Sequence, residues 1–240
     1  MKAAAIIPAR YGSTRFPGKA LALLKGKPLI QWVWEAVHST GLFERVIVAT
    51  DSELIANEVK KFGGMAVLTR ADHPSGSDRI AEVAAQLEEE LIVNVQGDEP
   101  LITKVALEKL IAAFADDEVQ IASLMTDVAD PMELNDPNTV KVVVDGCLNA
   151  LYFSRSPIPH NRDRIPWDHY WRHIGVYAYR REALLRFVSL PPSSLEQVEK
   201  LEQLRALGNG IPIRMVPTSY QGIGIDTPED LIRVQDLLKE

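Results

Sequence analysis

The sequence predicts an α/β protein: a mainly parallel (mixed) central sheet with helices on both faces, plus a smaller antiparallel subdomain. Through the first half of the chain, short apolar runs of buried-strand character alternate with segments whose apolar residues recur at helical spacing. Clusters of glycine, proline and polar residues separate them. Near Pro131 the rhythm changes, and strand-like runs follow one another closely.

Taken in order, Lys2–Pro8 is the first apolar run and ends in a long loop carrying Gly12, Pro17 and Gly18. Pro28–Ser39 has Leu29, Ile30, Val33 and Val37 on one helical stripe. Arg45–Thr50 (RVIVAT) reads as a second buried strand. Ser52 is placed to cap a helix over Glu53–Phe62, which Gly63 and Gly64 stop. Met65–Thr69 is a third strand, Ser77–Glu89 a helix and Leu91–Val95 a fourth strand. Thr103–Phe114 is a helix and Ile121–Thr126 a fifth strand. Beyond Pro131, the runs Lys141–Val144, Ala150–Phe153 and Ile174–Tyr179 read as antiparallel strands of a subdomain inserted at about 131–216 into a single domain of 1–240. Ser156–Trp171 has no helical period. Helices are expected over Ser194–Leu207, with Leu195, Val198, Leu201 and Leu204 as the apolar stripe, and over Pro228–Lys239. Ligands of open parallel sheets bind beyond the carboxyl ends of the strands, so the loops after Pro8, Thr69 and Val95 are where a site is expected.

Composition narrows the function. The 240 residues are 46% hydrophobic and 25% charged, which places the chain among ordinary globular proteins large enough to need no staple. The single cysteine, Cys147, excludes an internal disulfide, suits a reducing compartment and reads as structural. No apolar run approaches the ~20 residues that span a bilayer, and Ala3–Ile7 is too short for a signal-peptide core, so a cytoplasmic protein with no membrane partner is expected. A net charge of −7 argues against a nucleic-acid partner. It also makes Arg10, Arg15 and Lys19 informative, since these three cations have no acid between them.

That first loop reads Ala9-Arg10-Tyr11-Gly12-Ser13-Thr14-Arg15-Phe16-Pro17-Gly18-Lys19. Glycines after a buried strand let backbone N–H groups turn around a phosphate, and the basic side chains neutralise it. It is neither a Walker loop, since Ala20 stands where the hydroxyl belongs, nor a GxGxxG fingerprint. Three cations crowded at a strand end repel one another unless an anion joins them, at ~1 kcal/mol per pair in water and ~4 kcal/mol at an effective dielectric near 20. A phosphate site explains the cluster better than a solvated loop.

Gln96-Gly97-Asp98-Glu99-Pro100 follows the fourth strand. Its residue types suit an ordinary turn, and equally a carboxylate ligand for magnesium, which takes one or two carboxylates plus substrate phosphates. Beside a phosphate loop, the metal reading of Asp98 leads. In Gly222–Leu231, Thr227 and Asp230 form a capping box with Pro228 at the first helical position. Asp226 precedes the cap and is left over, which makes it a candidate second metal carboxylate. Ser75-Gly76-Ser77-Asp78-Arg79 is either a helix start capped by Ser77 or a base-binding loop, and periodicity does not decide. His173 reads as a core or surface histidine. Arg155, Arg162 and Arg164 form either a solvated face or a carboxylate clamp. Glu202 and Gln203 read as exposed helix positions.

Nine stretches (IIPARYGSTRFPGK, RVIVATD, ADHPSGSDR, VNVQGDEP, VKVV, ALYFSRSPIP, RHIGVYAYR, LEQVEKLEQLR and GIDTPEDL) resemble, in order and over nearly the whole chain, the 3-deoxy-manno-octulosonate cytidylyltransferase (CMP-Kdo synthetase) family. The resemblance implies a nucleotide-diphospho-sugar transferase-like fold. It also implies an enzyme that transfers CMP from CTP to an acidic eight-carbon sugar for lipopolysaccharide precursor synthesis. By the same resemblance, CTP is held by Ala9, Arg10, Gly12, Ser13, Lys19, Ser75, Gly76, Arg79, Gln96 and Asp98. Mg2+ is held by Asp98 and Asp226, and the sugar by Gln96, Arg155, Arg162, His173, Tyr177, Glu202 and Gln203. Lys19, Arg10 and Arg15 act with the two aspartates in catalysis, and a homodimer is built largely from the inserted subdomain. The stretch His160–Trp171 departs most from the family pattern, and with it the role of Arg162. Activation of another acidic sugar, such as a sialic acid or amino-substituted octulosonate, is the nearest alternative. A silent nucleotide-binding module comes next, and a nicotinamide dehydrogenase lacks its glycine fingerprint.

Overall fold

The computed structural model describes residues 1–12, 16–128, 130–163, 165, 167 and 169–238. The chain divides into two units, one formed by Met1–Leu107 with Gly222–Glu240 and the other by Glu108–Gln221.

The first unit begins with β1 (Ala3–Ala9), a 3-10 turn at Lys19–Leu21 and a small antiparallel hairpin of β2 (Leu23–Leu24) and β3 (Lys27–Pro28). There follow α1 (Leu29–His38), β4 (Arg45–Thr50), α2 (Glu53–Lys61), β5 (Met65–Leu68), α3 (Gly76–Ala84), β6 (Leu91–Asn94) and α4 (Lys104–Ala112), within which the division falls. Strands β6, β1, β4 and β5 pair in that order, all parallel, with Ile6 opposite both Ile47 and Asn94. Their continuous apolar character follows, because a parallel sheet covered by helices buries both faces: Ile6, Ile7, Val48, Leu91 and Ile92 are fully buried. Strand β5 is exposed at Met65 and Leu68, as suits a strand at the end of this run.

In α1, Leu29, Ile30, Val33 and Val37 are buried, which is the stripe read from the sequence. Ser52 occupies the N-cap position of α2 but makes no side-chain cap bond among the described residues. For α3 the cap is Ser75, whose hydroxyl accepts from the Asp78 N–H, and not Ser77, which is buried inside the first turn. The 3-10 turn and the β2–β3 hairpin were not expected.

The second unit contains β7 (Ile121–Asp127), β8 (Lys141–Val144), β9 (Ala150–Ser154), β10 (Trp171–Arg180), α5 (Arg181–Ser189), α6 (Ser194–Glu199), α7 (Leu204–Gly208) and β11 (Ile213–Pro217). Here β7 pairs antiparallel with β10 and parallel with β11, and β8 pairs antiparallel with both β10 and β9. Antiparallel pairing dominates, as the change of rhythm suggested.

The helix expected over Ser194–Leu207 is two helices. Lys200 adopts the left-handed conformation at φ 55° and ends α6, so Glu202 and Gln203 lie in the junction instead of on a continuous helix. Leu195 and Val198 are exposed, at 46% and 82%, and do not form a buried stripe with Leu201 and Leu204. Helix α5, which buries Ala183, Leu184 and Phe187, and strand β11 were also not anticipated.

Finally α8 (Pro228–Leu237) rejoins the first unit, with the expected capping box of Thr227 and Asp230 and Pro228 in its first turn. Ile225 and Val234 are fully buried in one cluster with Leu24 and Leu29, and Phe16, Trp32 and Leu101 pack against it.

Candidate active site

A cleft of about 310 Å³ opens in the first unit at the carboxyl ends of β1 and β6. Its walls come from three loops. Ala9 ends β1 and Arg10 follows it, His73, Pro74 and Ser75 lead from β5 to Gly76 at the start of α3, and after β6 come Gln96, Gly97 and Asp98. Lys19, Ala20, Arg79 and Asp226 complete it.

Lys19 is the electrostatic centre. Its Nζ donates to Asp98 Oδ2 at 2.7 Å and to Asp226 Oδ1 at 3.0 Å. Two carboxylates from distant parts of the chain thus converge on one cation position. Burial pulls the Lys19 pKa down, but Asp98 and Asp226 together more than offset that, so it lies above its ordinary 10.5. Asp226 is delivered by the capping segment before α8, where its N–H donates to Asp230 Oδ2 at 3.1 Å. The Ile225 N–H donates to the Asp98 carbonyl at 3.0 Å, which ties the two aspartate loops together.

Backbone geometry explains two of the glycines. A Cβ on Gly97 would sit 2.9 Å from the Pro8 carbonyl oxygen, so only glycine lets the loop after β6 lie this close to the end of β1. Gly18 is left-handed at φ 70° and closes the first loop by donating its N–H to the Tyr11 carbonyl at 3.1 Å. Gly12 has open space where a side chain would begin. Ser13 and Arg15, assigned from sequence to this loop, lie outside the described residues, as does Arg164.

The structure brings together Ala9, Arg10, Lys19, Ser75, Gly76, Arg79, Gln96, Asp98 and Asp226. Arg79, though, is a buried tether. Its guanidinium donates to Thr69 Oγ1 at 2.5 Å, the Arg70 carbonyl at 3.3 Å and Asp51 Oδ2 at 3.0 Å. Asp51 also accepts from the Tyr11 N–H at 3.2 Å, so it holds the first loop as well. The sequence reading gave Asp51 no role, although it closes the RVIVATD stretch at a strand end. His73 was passed over too. Gln96 donates to Asn94 Oδ1 at 3.2 Å.

The remaining candidates lie in the second unit. His173 and Tyr177 are on β10, their rings 5.3 Å apart, on either side of an irregularity in the register with β7. Ser123 Oγ lies 3.0 Å from His173 Nε2 and within 3.2 Å of the Ile174 and Val176 carbonyls. Burial lowers the His173 pKa to about 3, so the imidazole is neutral in the working range. Burial first, then Tyr179 and Glu202, raise the Tyr177 phenol well above 10, so it remains a donor.

Arg155 is engaged with backbone: Nε donates to the Glu199 carbonyl at 2.8 Å, and its two terminal nitrogens to Pro137 (2.7 Å) and Lys200 (3.4 Å). It holds the left-handed junction that carries Glu202 and Gln203. Gln203 is buried, with Nε2 unpartnered among the described residues. Arg162 is exposed. Lys141, fully buried, donates to the Asp136, Thr139 and Arg155 carbonyls and acts as scaffold.

Comparison with known proteins places this geometry in a class. A family model described as Cytidylyltransferase matches residues 4–214. The 3-deoxy-manno-octulosonate cytidylyltransferase of Flavobacterium johnsoniae is 51% identical, with all of both chains covered. That of Syntrophotalea carbinolica is 50% identical over all of this chain and 99% of its own. A solved CMP:2-keto-3-deoxy-manno-octonic acid synthetase complexed with CTP superposes with TM-score 0.95 at 44% identity, covering all of this chain and 99% of its own. A 4-diphosphocytidyl-2C-methyl-D-erythritol synthase from Anaerococcus prevotii, at 16% identity and TM-score 0.66 over all of this chain and 99% of its own, shares the fold. The chain belongs to the 3-deoxy-manno-octulosonate cytidylyltransferase family.

Proposed function

We propose that the protein transfers CMP from CTP to the anomeric hydroxyl of 3-deoxy-manno-octulosonate, forming CMP-Kdo and pyrophosphate. The observation that carries this reading is the convergence of Asp98 and Asp226 on Lys19 in a strand-end cleft. It stands in a chain 51% identical, end to end, to a protein named for that activity. The hydroxyl oxygen forms a bond to the α-phosphorus, the α–β phosphoanhydride bond breaks, and the hydroxyl proton is lost as pyrophosphate leaves.

The chain's own contribution is positioning and charge. Lys19 stays protonated at neutral pH, and two of its three N–H donors are held by Asp98 and Asp226. The third is assigned to a phosphate oxygen. Arg10, in the cleft wall, adds a second positive charge toward the triphosphate. In the second unit, Tyr177, Glu202 and Gln203 are assigned the hydroxyls and carboxylate of the sugar acid, with His173 as their neutral neighbour.

Magnesium is part of the proposal. Asp98 and Asp226 already share one cation between them, and two carboxylate oxygens completed by substrate phosphates are the donor set that magnesium takes. Bound there, it would supply Lewis-acid stabilisation of charge on the phosphates. We also propose a cytoplasmic homodimer. The exposed apolar side chains of Leu151, Leu195 and Val198 in the second unit support self-association, and no described helix is long and apolar enough to cross a membrane. Sedimentation at micromolar protein giving the mass of one chain would refute the dimer.

Pyrophosphate release tests the activity, with CTP, magnesium and the sugar acid each omitted in turn and with UTP and ATP substituted. The expected result is release that needs all three components and favours CTP. Release without the sugar acid, or equal rates with UTP, would overturn the reading.

A further inference from the structure

The mechanism leaves His73 without a task, although it lies in the cleft wall with a side chain only 5% exposed. Its Nε2 is hydrogen-bonded to Glu82 Oε2. The same carboxylate oxygen accepts from the Arg70 N–H at 3.2 Å. One turn earlier on α3, Arg79 donates to the Arg70 carbonyl at 3.3 Å. Two side chains of one helix face therefore grip both polar backbone groups of residue 70, and His73 closes the loop three residues later. The segment so tethered supplies Pro74 and the α3 cap Ser75 to the cleft. The His73 contact, with the Arg70 N–H, lowers the Glu82 pKa against the opposing effect of burial, so the acceptor of this clasp is ionised at neutral pH.

We infer that His73 and Glu82 form a strut that positions the 70–75 loop as the wall receiving the nucleoside part of the bound nucleotide. The inference rests on the nucleotide reading of the cleft. Lys19 and Arg10 carry the positive charge suited to phosphates, and the wall of Pro74 and Ser75 remains for the base and ribose. His73 is then a positioning residue acting through Glu82. Its loss leaves the phosphate machinery intact and loosens a preformed surface, so affinity for CTP falls while turnover is retained.

A double-mutant cycle tests this: His73→Ala, Glu82→Ala, the double variant, and the conservative pair His73→Gln and Glu82→Gln, which keep a donor and an acceptor. The dissociation constant for CTP is measured by titration calorimetry, beside kcat and the KM of each substrate. Each alanine variant is expected to weaken CTP binding about tenfold with kcat within about twofold and the sugar KM unchanged. The double variant should be no worse than either single, and each conservative variant should recover most of the loss. Additive losses would overturn the strut and make His73 a direct ligand of the nucleotide. Unchanged CTP affinity in both His73→Ala and Glu82→Ala would also overturn it. Calorimetry separates this inference from the activity: wild-type protein that binds CTP but releases no pyrophosphate refutes the proposed reaction and leaves the cycle readable.

Discussion

At the scale of single residues, the charges of the cleft converge on Lys19. Its neighbours are two carboxylates whose negative charges would otherwise face each other across the cleft. Lys19→Met is expected to lower kcat by about 10²–10³, the range found when one transition-state donor is removed. The ion pairs also set a pH window. Because the folded pKa lies above 10.5, the stability they contribute is fully present below that value and is lost as pH rises through the folded pKa. The difference in urea-unfolding free energy between wild type and Lys19→Met should therefore be flat from neutral pH to about 10 and shrink only above it. A difference that already changes between pH 6 and 9 would contradict the assignment. Lys19 was readable as one of three clustered cations and Asp226 as the residue its capping box leaves over, whereas Asp98 stood out only beside that cation cluster, since its stretch also suits a turn. That Arg79 is consumed by Asp51, Thr69 and the Arg70 carbonyl, and Arg155 by backbone carbonyls, was not readable, because an arginine has the same sequence signature whether it meets a ligand or the protein itself.

Among the elements, the buried strands were the most legible part of the chain. A run such as RVIVAT can be stable only where both faces are covered, and its boundaries match those of β4. The α6–α7 break was illegible for a definite reason. Ser194–Leu207 keeps helical spacing of leucine and valine throughout, and Lys200 carries no mark of a terminator. The left-handed turn there is enforced from outside the segment, by Arg155 on the Glu199 and Lys200 carbonyls. Lys200→Gly should therefore raise stability, by about 1 kcal/mol, since glycine adopts the observed φ of 55° without the Cβ penalty. A lower urea midpoint in this variant would mean that the lysine side chain supports the turn. The β2–β3 hairpin escaped notice because its strands have only two residues each, too few to show a period.

For the molecule as a whole, connectivity matters more than any one contact. The first unit is discontinuous: its core takes Ile225 and Val234 from the segment that follows the second unit. Ending the chain at Gln221 would remove both from Leu24 and Leu29, at about 1.5–3 kcal/mol for each fully buried side chain. Such a truncation is expected to lower the melting temperature by at least several degrees and to abolish pyrophosphate release. A truncated chain with an unchanged melting temperature would show that the Leu24 cluster closes without them. The same connectivity orders events during synthesis. A ribosome delivers Lys19 and Asp98 early, then the whole second unit, and Asp226 only afterwards. A nascent chain therefore holds Lys19 and Asp98 well before it gains the second carboxylate that shares Lys19 and the two buried side chains that complete the Leu24 cluster.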